Sequence, residues 1–352
     1  MPPIAQRSAA ETQHRDHPSL QRLSWDDIRV FLRCAEAGSF RKAAETLKIN
    51  SSTVVRRIER LEAALGMPLF NRLPDGAAPT PEGKAIVESA RMMERAIYDV
   101  YRKTERPDVE HRGVVKISIT EGLGTYWVMP WLVDFQQQHP YMIVDLRCAM
   151  ESADVLRMEA DLAIQLIEPT APDLHRVRLG RLHLYPFAGK GYAERFGLPT
   201  TREEMRHHRI VEQAGPQVNE SAWARFLGLD SVEGIVGIRS NASSSLFYAI
   251  ERGAGIGALP SYALALKAPV VPVDMGAHLA VDIWLTYHPD ARKVKRNVLV
   301  IDWIRRIFDP AKYPWFRDEF IHPNELVSMA PPETEALSVR GFFAATPFGG
   351  ER

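Results

Sequence analysis

Between Ser51 and Arg60 the chain places short hydroxyls first and guanidiniums after: Ser51 and Ser52, then Arg56, Arg57 and Arg60. That order suits the edges of a DNA groove, where Arg bonds guanine bidentately and Ser donates to phosphates or bases. Charge supports this locally rather than globally. From Arg41 to Arg60 there are six basic residues against Glu45 and Glu59, leaving +4, whereas the whole chain carries 44 residues of each sign. A positive patch survives in a neutral protein. The same stretch equally suits an ordinary helical hairpin with a solvated charged face, so the flanking segments must decide.

Two helices position these side chains. Ser39 can cap a first helix running to Leu47, whose Phe40, Ala43, Ala44 and Leu47 recur at the three-and-four spacing of one buried face. Lys48, Ile49 and Asn50 break the period, and Asn50 or Ser51 caps a second helix with Val54, Ile58, Leu61 and Leu65 on its inner stripe. Its opposite face carries Ser51, Ser52, Val55, Arg56 and Glu59, with Arg57 and Arg60 at the flanks. Upstream, Ser24 and Asp27 form a capping-box-like start to a helix with Ile28, Phe31, Leu32 and Ala35 inward, and Gly38 supplies a left-handed stop. The three helices make the unit that a helix-turn-helix requires.

Downstream, Leu69 and Phe70 are apolar anchors, and Pro74-Asp75-Gly76 is a turn signal. Together they predict a short hairpin or wing that brings Arg72 near the backbone of bound DNA. Thr80, Pro81 and Glu82 then supply a capping hydroxyl, a first-position proline and a negative charge at the positive end of a helix. Ile86, Ala90, Met93, Ile97 and Val100 repeat at heptad spacing along about 35 Å of helix. Such a seam packs on the chain's own domain or on a second copy. Its place as a connector favours a homodimer, which would space two reading helices on a two-fold site.

With 352 residues the chain has length for two or three domains, and 45% hydrophobic with 25% charged residues is the balance of a soluble globular protein. No apolar run of about 18 residues could span a bilayer, and the polar first 22 residues have no secretory apolar core. A cytoplasmic location is therefore expected, with residues 1–22 disordered. The cysteines, Cys34 and Cys148, are expected as buried free thiols rather than a redox pair. His207 and His208 lack metal-site spacing, so no metal is predicted, and no cofactor motif argues for one.

After a linker at Arg106-Pro107 the pattern changes. Strands are predicted from Val115 to Ile119, Tyr141 to Leu146, Asp161 to Ile164, Leu182 to Phe187, Arg209 to Glu212, Ile235 to Arg239, Ile256 to Leu259 and Val281 to Thr286. Between them lie helices carrying Trp127, Trp131, Leu132 and Phe135, then near Ala153 to Met158, Lys190 to Phe196, Thr201 to His207, Asn241 to Arg252 and Lys293 to Phe308. This rhythm predicts a mainly parallel sheet with helices on both faces, arranged as two small α/β lobes. Gly253-Ala254-Gly255-Ile256-Gly257 lies after a helix and before a strand, the reverse of a dinucleotide loop, so its glycines end the helix and turn the chain. No nucleophile elbow, paired metal ligands or kinase signature is present, and catalytic residues are expected to be none.

The run from Leu23 to Gly83, with GSFRKAAETL, RRIERLEAALG, PLFNR and TPEG, closely resembles the LysR-type transcriptional regulators. The likeness extends more loosely to about Phe308 through DLAI at Asp161 to Ile164 and GAGIGALP at Gly253 to Pro260. What the resemblance implies is an N-terminal all-α winged helix-turn-helix, a dimerising linker helix, and a two-lobed effector domain similar to periplasmic binding proteins. It implies a regulator that binds double-stranded promoter DNA, answers to a small molecule between its lobes and assembles as a homotetramer of paired dimers. The corresponding spans are 1–22 for the extension, 23–80 for the DNA-binding domain and 81–106 for the linker helix. The effector domain takes 107–308 (lobe I about 113–187 and 274–308, lobe II about 188–273), and 309–352 forms a C-terminal extension.

Carried onto this chain, the family's DNA-contacting helix positions are Ser51, Ser52, Thr53 and Arg56, with Arg57 beside them, Arg41 on the preceding helix and Arg72 by the wing. Val55 stands where serine is frequent, exchanging a phosphate contact for a possible thymine methyl. Asp75 and Ala78 stand where the wing is often basic. For the effector, the resemblance points to the loop after the first strand, Thr120-Glu121-Gly122-Leu123-Gly124-Thr125. Glu151 and Ser152 after the second strand, Gln165 after DLAI, and Asn241 with Ser243 at a helix start are further candidates. Amides at a helix start bind anions, yet Glu121 opposes a carboxylate unless it points away. Each further candidate suits a helix cap or solvated loop equally well. Tyr313, Trp315, Phe316 and Phe320 are expected to dock on a lobe or a neighbouring subunit, and 331–352 to be mobile. Two other functions remain open at this point: a small-molecule-binding protein without gene regulation, and an α/β enzyme.

Overall fold

The computed structural model describes residues 23–73, 76–104, 112–151, 153–218 and 222–337. The chain divides into two compact units, Met1–Thr104 and Glu105–Arg352. Residues 1–22, the linker at Arg106-Pro107, Asp75 of the wing and residues 338–352 lie outside the described set.

In the first unit α1 (Trp25–Ala37), α2 (Phe40–Leu47) and α3 (Ser51–Leu65) precede a two-stranded hairpin, β1 (Phe70–Leu73) and β2 (Gly76–Pro79), and then α4 (Pro81–Thr104). The core is the apolar set the helical periods bring inward: Phe31, Leu32, Ala43, Val54, Ile58 and Leu61, all fully or nearly fully buried. Gly38 ends α1 at φ 62°, and its carbonyl accepts from the Ala77 amide of the wing at 2.9 Å. Thr80 caps α4 as its position suggested, with Oγ1 accepting from Gly83 N at 2.9 Å and donating to the Pro68 carbonyl. Ser24, Ser39 and Asn50 occupy cap positions in extended backbone but make no side-chain cap bond. Asp27 is not a capping group either; it is a buried carboxylate, 1% exposed, bound by Arg60.

The second unit is built on a mixed sheet. Its elements in order are β3 (Gly113–Ile119), α5 (Glu121–Leu123), α6 (Met129–Gln138), β4 (Met142–Cys148), β5 (Leu162–Gln165), β6 (His175–Gly189), α7 (Lys190–Phe196), α8 (Arg202–Met205), β7 (Ile210–Gln213), α9 (Ala222–Leu227), β8 (Val236–Ser240), α10 (Ser243–Glu251), β9 (Ile256–Pro260), β10 (Val270–Pro272), β11 (Leu279–Tyr287), α11 (Lys295–Ile307) and α12 (Pro323–Met329). The strand order is β4-β3-β5-β11-β6-β9-β7-β8, with β10 added on β6. Parallel pairs lie in both lobes, β3 with β4 and β5 in the first and β7 with β8 in the second, while β11 runs antiparallel to β5.

The expectation of a mainly parallel sheet fails at the junction. β6 is fifteen residues long, and its antiparallel ladders with β11, β9 and β10 tie the two lobes into one sheet. Only Leu182 to Phe187 was anticipated from this strand, because the charged run from His175 to Arg181 hides its first half. Ala153 to Met158 is a turn rather than a helix, closed by Met158 at φ 57°. Cys34 is buried, with its thiol pushed up to about 12 by burial, but Cys148, at the end of β4, is exposed; both are free. The glycines after α10 behave as turn and packing residues: Gly253 has φ 82°, and a Cβ on Gly255 would sit 2.5 Å from the Arg209 carbonyl.

Trp127 is the centre of the first lobe's core. Its ring centroid lies 5.0 Å from Tyr313, 5.5 Å from Trp315 and 5.1 Å from Phe316, and its Nε1 donates to the Ile307 carbonyl at 3.0 Å. The segment after Asp309 thus docks on its own lobe. Phe320 continues onto the second core, stacked on Tyr185 at 5.5 Å. Residues 331–337, expected to be mobile, include a short 3-10 turn (Pro332–Leu337) with Thr334 2% and Leu337 5% exposed.

Candidate nucleic-acid interface and ligand cavity

In the first unit, Val54, Ile58 and Leu61 anchor α3 inward, which turns Ser51, Ser52 and Arg56 to solvent while Thr53 and Val55 are half-buried. Arg56 makes no ion pair with any described residue. Arg57 is different: its Nη1 lies 3.1 Å from Asp26 and 3.7 Å from Asp27 of α1, so it serves the interior of the unit rather than the exposed face. Arg60 is likewise held by Asp27 through two contacts, and these raise its pKa. The exposed basic residues of the hairpin not held by Asp26 or Asp27 are Arg41, Lys42, Lys48 and Arg56, with Glu45 and Glu59 beside them; Arg60 is exposed but tied to Asp27. Arg41 is 86% exposed in its side chain and 3.3 Å from Glu45, a pair too solvated to hold it in place. The backbone of Arg72 pairs with Ala77 across the wing; its side chain lies outside the described residues.

In the second unit a cavity of about 150 Å³ opens between the lobes. Its floor is the β6–β11 ladder, where Leu182 faces Val281 and Leu184 faces Leu279. Thr120, Gly122 and Tyr126 bound it from the first lobe, and Gln213, Ser243 and Phe247 from the second. Tyr126 arrives through a π turn, Gly124–Val128, that joins α5 to α6. Gly122 is required by the close approach of the lobes, since a Cβ there would lie 2.9 Å from Ser243 Oγ. Gln213 Nε2 donates to that same hydroxyl at 2.6 Å. Gln217 is fully engaged in closing the wall, with Oε1 accepting from Leu166 N and Nε2 donating to the Met150 carbonyl, both at 2.9 Å. No group of three or more His, Cys, Asp or Glu residues suited to a metal occurs among the described residues, and no described helix is long and apolar enough to cross a membrane.

The LysR substrate binding domain family matches residues 109–309, and the lysR family of bacterial regulatory helix-turn-helix proteins matches residues 25–84. The chain belongs to the LysR family of transcriptional regulators. Among its relatives, an HTH-type transcriptional regulator of Xanthomonas campestris pv. campestris is 29% identical over 53% of this chain and 54% of its own length. The Mau operon transcriptional activator of Paracoccus denitrificans is 28% identical over 49% of this chain, so the chain spans little more than half the length of these two relatives. The probable HTH-type transcriptional regulator LtrA of Klebsiella pneumoniae is 24% identical, over 79% of this chain and 93% of its own length. The fold is also that of CrgA, a LysR-type transcriptional regulator from Neisseria meningitidis, at a TM-score of 0.50 and 19% identity over 82% of this chain and 99% of that one. Membership in this family of regulators sets aside the enzyme alternative.

The LysR-derived ligand positions are only partly brought together. Thr120, Gly122 and Ser243 line the cavity. Glu121 turns away from it: Oε2 accepts from Ser244 N at 2.9 Å at the start of α10, and Oε1 accepts from the Thr125 hydroxyl at 3.3 Å. Gln165 is buried and donates to the Ile167 carbonyl at 2.8 Å, outside the lining, while Glu151 and Asn241 are exposed. Ser152 lies outside the described residues. Missed in sequence were Tyr126, Met150, Gln213, Gln217, Trp223 and Tyr262, together with the apolar floor. An apolar residue lining a void has the same type and spacing as one meeting a neighbour, so only the folded sheet separates them.

Proposed function

We propose that this LysR-family chain is a sequence-specific transcriptional regulator that reads double-stranded promoter DNA with α3 and adjusts that binding to a small-molecule effector held between the lobes of its second unit. The observation that carries the proposal is the exposed Ser51, Ser52 and Arg56 face on a well-packed α3, in the same chain as a two-lobed domain with a cavity between its lobes. Arg56 is the base-reading residue, Ser51, Ser52 and Thr53 set register on the backbone, and Arg41 and Arg72 add charge at the edges. Arg57 belongs to the support of α3. The functional spans we assign are 23–80 for DNA, 81–106 for the linker helix and 107–308 for the effector.

The linker helix supports a homodimer. Ile86 and Val87 pack on the first unit's own core and Ala90 is buried there, while Met92, Met93 and Val100 are 61%, 44% and 60% exposed. The seam is therefore divided, its first turns spent internally and its later turns open to a second copy. Two such dimers would form the homotetramer.

The test is recovery of genomic fragments by the purified full-length protein at low salt, followed by Arg56→Ala on the best fragment. A loss of about 1–3 kcal/mol with relaxed preference at one base position is the expected result. Failure to enrich any fragment, or an Arg56→Ala protein with unchanged affinity and preference, would overturn the assignment. Retained ligand binding without any DNA selection would favour the binding-protein alternative.

A further inference from the structure

We infer that the cavity takes an uncharged molecule about the size of one ring and excludes carboxylates; this rests on the effector role proposed for the same site. Size comes first. A cavity of about 150 Å³ with apolar walls is of the order that holds a benzene ring. The floor formed by Leu182, Leu184, Leu279 and Val281 offers a ligand only aliphatic contact.

Charge comes second. Among the described residues, no Lys or Arg bounds the cavity. The bounding residues include one charged group, Glu212, which is 5% exposed and bound to Arg239 at 2.7 Å. A carboxylate ligand would enter an apolar space with no counter-charge, at a desolvation cost that nothing there offsets. At the start of α10, Ser244 N already donates to Glu121 of the opposite lobe and is not open to a ligand carboxylate.

Polarity comes third. The amide side chains that bound the cavity are already engaged: Gln213 Nε2 donates to Ser243 Oγ at 2.6 Å, and Gln217 bonds Leu166 N and the Met150 carbonyl. A ligand that brings few polar groups therefore loses least on leaving water.

The experiment uses full-length protein and two probes of one shape, benzamide and benzoate, at pH 7.5, with binding read by calorimetry and promoter occupancy read separately. The expected result is saturable binding of benzamide at least tenfold tighter than of benzoate. Binding should be abolished by Ala258→Phe, which fills the space. Circular dichroism and melting confirm that each variant is folded; Ala258→Leu replaces Ala258→Phe where the larger residue prevents folding. Benzoate binding wild type as tightly as benzamide, or neither probe binding, overturns the inference. If benzamide is preferred but promoter occupancy never changes, the ligand class stands and the effector role fails; if occupancy responds equally to both probes, the role stands and the ligand class fails.

Discussion

Trp315 lies beyond the matched family domain yet inside the hydrophobic core, and its removal measures how much the C-terminal segment contributes to the effector unit. The side chain is 1% exposed, with its ring 5.5 Å from Trp127 and 5.7 Å from Tyr262. Trp315→Ala strips packing from both rings and leaves a void that the surrounding sheet cannot close. Truncating a buried large aromatic costs about 3–5 kcal/mol, a large share of the roughly 5–15 kcal/mol that holds a domain together. For a unit of this size each kcal/mol moves the melting temperature by roughly 2–4 °C, so the effector transition should fall by roughly 6–20 °C. Trp315→Phe should cost less than alanine, because it keeps a ring and removes an indole N–H that is buried without a partner among the described residues. Scanning calorimetry of the full chain reads both effects, and the transition of the Met1–Thr104 unit serves as an internal reference. A shift below about 2 °C for Trp315→Ala would refute the assignment of the segment to the core.

Three further outcomes follow from side chains already placed. His183 is 3% exposed with Nε2 3.0 Å from the Arg317 carbonyl. Burial lowers its pKa, His278 and Arg181 act in the same direction, and the Arg317 bond and Asp318 oppose them. The unfolded chain then binds the proton more readily, so the contribution is complete above the ordinary value of 6.5 and declines as pH falls below it; His183→Gln should flatten the melting temperature between pH 7.5 and 5.5, and an unflattened profile would count against the sign. Asp27→Asn removes the buried charge that holds Arg57 and Arg60, so the first unit should melt earlier while non-specific DNA binding gains a steeper salt slope; an unchanged slope would mean that neither guanidinium reaches phosphate. Replacing Met93 and Val100 together with Glu should convert the assembly to smaller species in sedimentation, and an unchanged mass would exclude this part of α4 from the interface.

The helices of the first unit were legible because their information is local. Phe40 to Leu47 and Ser51 to Leu65 each carry a full apolar stripe, and Gly38 and Thr80 act within one turn of where they stand. What local patterns could not supply was partnership. Arg56 and Arg57 are adjacent and chemically identical, yet a turn of about 100° sends one to solvent and the other to Asp26. Asp27 looked like a capping group because the residue that claims it, Arg60, is 33 positions away. The same limit hid the antiparallel β6–β11 ladder, whose strands lie about a hundred residues apart and whose first half carries charges. For the candidate cavity, the helix-start positions Thr120, Gly122 and Ser243 carried a readable signal, whereas the apolar floor carried none.

The geometry also separates what is stiff in the effector unit from what can move. β6 and β11 pair from Leu184↔Leu279 to His175↔Tyr287, and this ladder runs beneath the cavity. Disrupting it would expose a row of backbone groups at once, so it is the fixed side of any opening. Across the cavity mouth the Glu121–Ser244 hydrogen bond and the Gly122–Ser243 approach join the lobes with few atoms. A ligand shifts such an equilibrium only by contacting one arrangement better than the other. Tyr262 meets that condition, because it lines the cavity and also touches Trp127, Trp315 and Phe316. A ligand packed on that residue would bear on side chains that the C-terminal segment already grips, placing the energetic difference between empty and filled states where the family domain and its extension meet.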